Sequence, residues 1–289
     1  MNGLQVCGAE GYFVERVHGR KLLRKLIGAW VLSMSIATAG TGQVQDTIAG
    51  KSPLFTGRDA LILAGFTVGT VAVAPLDMHL AQVLQDPRAQ ENRVLGHSAT
   101  AFKFLGVPGT VFIGLALYAV GRIDDQRRVQ DLGLHGVEAV VLSTATSFGI
   151  KMLAGRARPH VDITNPHNFQ LGRGFSGDDY QAFPSGHTTS AFAFAAAVSR
   201  ETQMWWPQSR WYIGTAVYAG ATLVGISRMY NNVHWASDVL GGAAIGTLIG
   251  LKVVKYHHSH PGNRVDRALL KGNRLAPPVP IPLVSLQFR

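Results

Sequence analysis

Residues 227–251 read SRMYNNVHWASDVLGGAAIGTLIGL, and the two halves of this stretch say different things. From Val239 to Leu251 there is no charge, and small residues are mixed with Val, Leu and Ile. Alternation of period two is absent, so the run reads as a tightly packed helix and not as a strand. Ahead of it stand Ser227, Arg228, His234 and Asp238, polar groups crowded at the mouth of an apolar segment.

The same pattern recurs upstream. Ala60–Leu76 and Phe104–Gly121 are uncharged over 17 and 18 residues, and Ala139–Ile150, Thr188–Ser199 and Trp211–Ser227 over 12, 12 and 17. At 1.5 Å per residue the longer runs reach ~26 Å, close to the ~30 Å of a bilayer's hydrocarbon. The expected fold is all-α, an antiparallel bundle of about six core helices that spans a membrane, with an exported soluble bundle as the alternative. Leu80–Leu95 reads as an amphipathic helix interrupted near Pro87.

Composition agrees with this. Of 289 residues, 47% are hydrophobic and 15% charged, and the mean hydropathy is +0.14. That composition argues against disorder. The single cysteine, Cys7, excludes an intramolecular disulfide and a Cys-based zinc site. The net charge of +10 calls for an anionic partner. The basic residues are scattered and no nucleic-acid module appears, so a phosphorylated substrate and lipid headgroups are expected, and nucleic acid is not.

At the N-terminus Arg20, Lys21, Arg24 and Lys25 precede the charge-free run Leu26–Gly42, with Ala37-Thr38-Ala39 inside it. Residues 1–42 are therefore read as an export-signal-like segment or a membrane anchor. Residues 43–260 make one helical domain, and residues 261–289 a tail carrying Pro277, Pro278, Pro280 and Pro282. Arg122, Arg127, Arg128, Arg200, Arg210, Lys252 and Lys255 fall at the helix ends opposite the polar clusters. The positive-inside rule then places the clusters outside the cytoplasm. A cleaved signal would set the first span one crossing out of register with that rule. A protein of the inner membrane with its polar end facing the periplasm, and a soluble periplasmic protein, both keep that end outside.

Four clusters sit at the ends of the last apolar runs: Lys151 with Arg158, Pro184-Ser185-Gly186-His187, Ser227-Arg228, and His234 with Asp238. In an antiparallel bundle all four meet at one end. Three cations around one point need an anion between them, and guanidinium forks match phosphate oxygens. Ser185 and Gly186 open a helix, whose free N–H groups favour an anion. His187 and His234 titrate near neutrality, and Asp238, four residues after His234, can orient its imidazole. Such an imidazole can attack phosphorus while a second protonates the departing oxygen.

Lys151-x6-Arg158-Pro159, Pro184-Ser185-Gly186-His187 and Ser227-Arg228-x5-His234-x3-Asp238 together resemble the three-part signature of the type 2 phosphatidic acid phosphatases. Bacterial class A acid phosphatases and vanadium haloperoxidases share that signature. The resemblance covers about Ala139 to Leu251. It implies His234 as nucleophile forming a phosphohistidine, Asp238 as its orienting acid and His187 as the acid for the leaving group. It also implies Lys151, Arg158, Arg228, Ser185 and Gly186 as the phosphate cradle, with no metal and no cofactor. The implied activity is a metal-independent phosphatase of phosphomonoesters or diphosphates, with lipid phosphates as substrates. A soluble periplasmic acid phosphatase is the alternative, and a vanadate-dependent haloperoxidase a more distant one.

Arg156 lies outside the signature, near the site or at the surface. His257, His258 and His260 have no acidic or Cys neighbour in sequence, so no metal site is expected there. His79, His97, His135, His160 and His167 receive no role. Trp205, Trp206 and Trp211 read as an interfacial belt or as core. Specificity is expected in the loop His160–Ala182 and in the first two helices.

Overall fold

The computed structural model describes residues 53–270. The signal-like segment 1–42 and the proline-rich stretch Ala276–Arg289 lie outside the described residues.

Thr56 opens α1 (Gly57–Val73) through a capping box. Its backbone N–H and hydroxyl both donate to Asp59 Oδ2, at 2.6 and 2.8 Å. After a 3₁₀ turn the chain makes α2 (Asp77–Leu84), α3 (Pro87–Gln90) and α4 (Arg93–Phe104). The single interruption expected near Pro87 is thus two breaks. Asp86 accepts from Arg88 N to start α3, with Pro87 in the first turn. Asn92 accepts from Val94 N and Leu95 N to start α4. Each side chain satisfies N–H groups that a continuous helix would have used. At Gly106 the chain bends by 54° into α5 (Val107–Ile123).

The remaining core helices are α6 (Arg127–Ala154), α7 (Gly186–Trp205), α8 (Arg210–Tyr230) and α9 (Ala236–Ser259), followed by the short α10 (Arg264–Leu269). Among the described residues there is no strand, only an isolated bridge between Arg156 and Phe169. The expected all-α antiparallel bundle is therefore observed, with α10 lying inside the segment 261–289.

The centre is α7, packed against α6, α8 and α9. Its Ala191, Ala193, Ala195, Ala196 and Ala197 are buried, so the neighbouring backbones come close. On α9, Gly242, Gly246 and Gly250 recur every fourth residue along one face. A methyl group at Gly242 would sit 2.7 Å from the Ser185 carbonyl oxygen, and those at Gly246 and Gly250 would collide with the carbonyls of Thr189 and Ala193. Small residues at this spacing set the close α7–α9 contact that brings Ser185 beside the start of α9.

Residues 57–84, 127–154 and 236–259 are long and apolar enough to cross a membrane, and the bent pair α4–α5 makes a fourth candidate. Leu61, Val68 and Val71 on α1, Phe112 on α5, and Val141 and Phe148 on α6 are all more than half exposed. Such a band of large apolar side chains suits lipid tails and not water. Trp205 is core, whereas Trp211 is exposed.

Candidate active site

Helix α6 stops at Gly155, whose φ of +57° is a left-handed conformation that glycine adopts at little cost. The chain that follows is fastened on both sides. Ala157 N donates to Asn168 O at 2.9 Å, and Ala182 N donates to Arg156 O at 3.0 Å. The ring of Trp235 is buried beside this loop, its Nε1 donating to Ala157 O at 2.9 Å. Ser185, the N-cap of α7, donates its backbone N–H to Asp238 O at 3.0 Å. These contacts join the three signature segments through backbone hydrogen bonds and the Trp235 indole.

The cations gather on this frame. Lys151, in the last turn of α6, donates Nζ to Gln181 O at 2.6 Å. Its stem runs past Gly186, where an added methyl would lie 3.4 Å from Lys151 Cε. Arg158 pairs through Nη2 with Asp178, whose side chain is 72% exposed. Arg228 is buried at the end of α8. Its Nε and Nη1, together with Arg158 Nε, are buried donors with no hydrogen-bond partner. A donor in that condition costs about 1–3 kcal/mol unless something accepts from it. Ser147 Oγ, one turn before Lys151 on the same helix, is likewise buried without a partner.

His234 lies just before α9, 4% exposed. Its Nδ1 meets Ala182 O at 2.7 Å, so Nδ1 carries the proton and Nε2 keeps its lone pair. Burial is the main influence on this imidazole, followed by Lys151, Arg158 and Arg228. Together they hold its pKa well below the ordinary 6.5, against a smaller opposing pull from the Ala182 carbonyl. His187, in the first turn of α7, feels the charges of Arg228, Lys151, Lys103 and Arg158. Its ring faces Gly106, where an added methyl would lie 2.5 Å from His187 Cδ2. The α4–α5 bend therefore forms one wall of the site, and Lys103 belongs to that wall.

Asp238 is fully buried but does not hydrogen-bond His234: the closest approach is 3.8 Å, from Nδ1 to Oδ2. The four-residue spacing suggested a shared helical face. Instead His234 precedes the helix and Asp238 is the third residue of its first turn, accepting from Trp235 N at 2.7 Å. The contact that sets the imidazole tautomer comes from a backbone carbonyl in the 160–182 loop, which no side-chain motif reveals.

Arg156 turns out to be the keystone beneath the site. It is 3% exposed and donates Nη1 to Asp238 Oδ1 (2.5 Å) and Ser237 Oγ (2.8 Å), and Nη2 to Asp77 Oδ2 (2.8 Å) and Pro166 O (2.6 Å). Its guanidinium also lies over the rings of Phe169 and Trp235. Asp77 in turn accepts from Ser237 N and Oγ. The signal for Asp77 was present in the sequence: it is the carboxylate that ends the uncharged run Ala60–Leu76.

Three cations and two imidazoles thus gather at one end of a helical bundle. Residues 133–261 match the family model of the PAP2 superfamily. Over 69 residues it is 51% identical to the lipid A 1-phosphatase of Porphyromonas gingivalis, covering 24% of this chain and 15% of that one. The lipid A 1-phosphatase of Rhizobium johnstonii is 32% identical over 121 residues, 42% of this chain and 46% of the relative. The chain thus spans less than half the length of these curated relatives. The fold is similar to that of the transmembrane PAP2 type phosphatidylglycerolphosphate phosphatase from Bacillus subtilis. The TM-score is 0.52 at 19% identity, covering 71% of this chain and 98% of that one.

Proposed function

We propose that the chain is a phosphatase that removes phosphate from lipid phosphomonoesters or diphosphates through a phosphohistidine on His234. The observation that carries this reading is the convergence of Lys151, Arg158 and Arg228 on a buried imidazole whose Nε2 lone pair is free.

The substrate phosphoryl group would accept from the unpartnered Arg228 and Arg158 donors and from the backbone at Gly186. His234 Nε2 attacks phosphorus, and the P–N bond forms as the bond to the leaving oxygen breaks. His187 gives its proton to that oxygen, and a lipid alcohol or a lipid monophosphate departs. Water then attacks phosphorus and His187 takes up its proton. The P–N bond breaks, His234 is restored, and inorganic phosphate leaves. Three fixed cations supply the charge stabilisation that a divalent ion gives in other phosphatases, so the chemistry at this cradle requires no metal. Asp238 acts at 3.8 Å as a charge favouring the imidazolium and as a cap fixing the start of α9.

The exposed apolar band on α1, α5 and α6 favours a lipid substrate and a membrane-embedded protein over the soluble acid-phosphatase alternative. The relatives' names point to the same substrate class. The cradle end faces the periplasm in this reading, because the basic residues crowd the opposite helix ends.

The test uses the full chain in detergent with phosphatidate, lipid A, phosphatidylglycerol phosphate and a polyprenyl diphosphate, in the presence of EDTA. Phosphate release from at least one is expected. His234→Gln should release none and should form no acid-labile, alkali-stable phosphoenzyme after rapid quench. Turnover confined to water-soluble esters would select the acid-phosphatase alternative. Bromide oxidation with vanadate and peroxide, without phosphate release, would select the haloperoxidase one.

A further inference from the structure

The end of the bundle away from the cradle holds a second constellation. His135 precedes Lys151 along α6 by about 24 Å of helix. Around it the fold assembles Glu201 from α7, His257 and His258 from α9, Asp266 from α10 and Glu138 from α6. The residues flanking His257 and His258 hold no acid in sequence, but the tertiary structure supplies three carboxylates. His135, Glu201 and His257 are fully buried, and Asp266 is 4% exposed.

His135 is held through Nδ1 alone, whereas His257 is held through both nitrogens, its Nδ1 also meeting Asn263 Nδ2 at 3.2 Å. His135 Nδ1 meets Glu201 Oε1 at 2.6 Å, and His258 Nε2 steadies the same carboxylate at 3.0 Å. His257 Nε2 meets Glu138 Oε2 at 2.8 Å. The opposite nitrogens, His135 Nε2 and His257 Nδ1, lie 3.9 and 2.5 Å from Asp266 Oδ1. His135 Nε2 is buried and has no hydrogen-bond partner. Arg127 approaches the other oxygen of Asp266, Oδ2, at 3.9 Å.

We propose that His135 Nε2, His257 Nδ1 and Asp266 Oδ1 bind one divalent ion of the zinc type, as a structural site distinct from the phosphate cradle. The three ligand atoms lie within 4.8 Å of one another. Ligand bonds of about 2.0–2.2 Å in a tetrahedron separate the ligand atoms by roughly 3.3 Å. The 2.5 Å pair would open and the 3.9 Å pair would close by less than about 1 Å each to reach that spacing. Two imidazoles and one carboxylate are a borderline donor set that suits zinc, whereas calcium and magnesium call for more oxygens. The carboxylates on the far nitrogens complete the argument. Metal-binding histidines donate their second N–H to a carboxylate, which fixes the tautomer and raises basicity, and Glu201 and Glu138 stand in those positions. The ion would fasten α10 to α6 and α9.

The experiment measures zinc bound by the full chain in detergent after chelator stripping and dialysis, alongside its Tm with and without zinc. One zinc per chain, a zinc-dependent rise in Tm and a visible tetrahedral spectrum with cobalt are expected. Asp266→Asn should weaken binding at least tenfold, and Glu138→Gln, which leaves the ligands in place, about 10–100-fold. His260→Ala, outside the set, should bind like the wild type. Glu138 lies at the partly exposed edge of the cluster, so its variant carries the test if Asp266→Asn fails to fold. Zinc binding absent from the wild type, or unaltered in both Asp266→Asn and Glu138→Gln, overturns the proposal.

Discussion

Arg156 Nη1 lies 2.5 Å from Asp238 Oδ1, while Asp238 Oδ2 accepts from Trp235 N and stands 3.8 Å from His234 Nδ1. The carboxylate therefore serves three masters: a buried cation, the start of α9 and the imidazole. Arg156 is itself shared with Asp77, so two buried acids from α2 and α9 lean on one guanidinium. Removing one partner from such a set leaves a charge uncompensated in a dry site.

Arg156→Ala is accordingly expected to destabilise the protein by about 3–5 kcal/mol, the usual cost of breaking a buried ion pair. Unfolding in detergent, followed by loss of near-ultraviolet circular dichroism, measures it. Arg156→Lys should recover only part of this. One ammonium cannot bridge Asp77, Asp238 and the Pro166 carbonyl with the geometry of a planar fork. Equal stability of Arg156→Ala and wild type would show that the network is ornamental.

The depressed pKa of His234 predicts a pH profile. A lowered pKa keeps the imidazole neutral, and so nucleophilic, at all pH values above that pKa. The acid limb of kcat/KM, which reports the free enzyme, should therefore fall well below pH 6.5. Arg158→Gln removes one of the cations that disfavour the imidazolium, so the limb should move toward higher pH in that variant. An acid limb that stays in place in Arg158→Gln would contradict the electrostatic account. A substrate with a single ionisation far from this range gives the cleanest measurement.

Gly106 offers a test of the wall formed by the α4–α5 bend. Its backbone is not left-handed: φ is −65° and ψ −119°. The added methyl would nevertheless sit 2.5 Å from Cδ2 and 3.1 Å from Cβ of His187, which must move. Displacement of a reacting group by about 1 Å can cost 10²-fold in rate. Gly106→Ala should lower kcat on that scale with little change in KM. Gly69→Ala, where nothing lies within 4 Å, should leave both unchanged.

The helices and the candidate site were legible in the sequence to different depths. Runs such as Ala139–Ile150 show helix and burial directly, because period and composition are local properties. Lys151, Arg158, His187, Arg228 and His234 could be grouped because alternating helices return their ends to one side. What stayed hidden depends on tertiary contacts. The Ala182 carbonyl that fixes the His234 tautomer belongs to a backbone atom with no side-chain signature. Asp77 and Arg156 are 79 residues apart and meet only after the bundle closes. Glu201 and Asp266 likewise reach His135 and His257 from separate helices. The i,i+4 reading of His234 and Asp238 missed its geometry because helix α9 begins two residues after His234.

The pairing of Arg158 with Asp178 sets a final expectation. Asp178 belongs to the 160–182 loop and is largely exposed, yet its carboxylate holds Nη2 of a guanidinium that faces the cradle. A phosphoryl group binding there must compete with that carboxylate and with its negative charge. Exposed pairs of this kind contribute about 0.2–1 kcal/mol, which corresponds to roughly 1.4- to fivefold in an equilibrium constant. Asp178→Asn should thus lower KM, or the Kd for inorganic phosphate, by that factor, with kcat nearly constant. The difference between variant and wild type should shrink as salt rises, since screening weakens the native pair first. An increase in KM would instead mean that Asp178 holds Arg158 in its productive orientation.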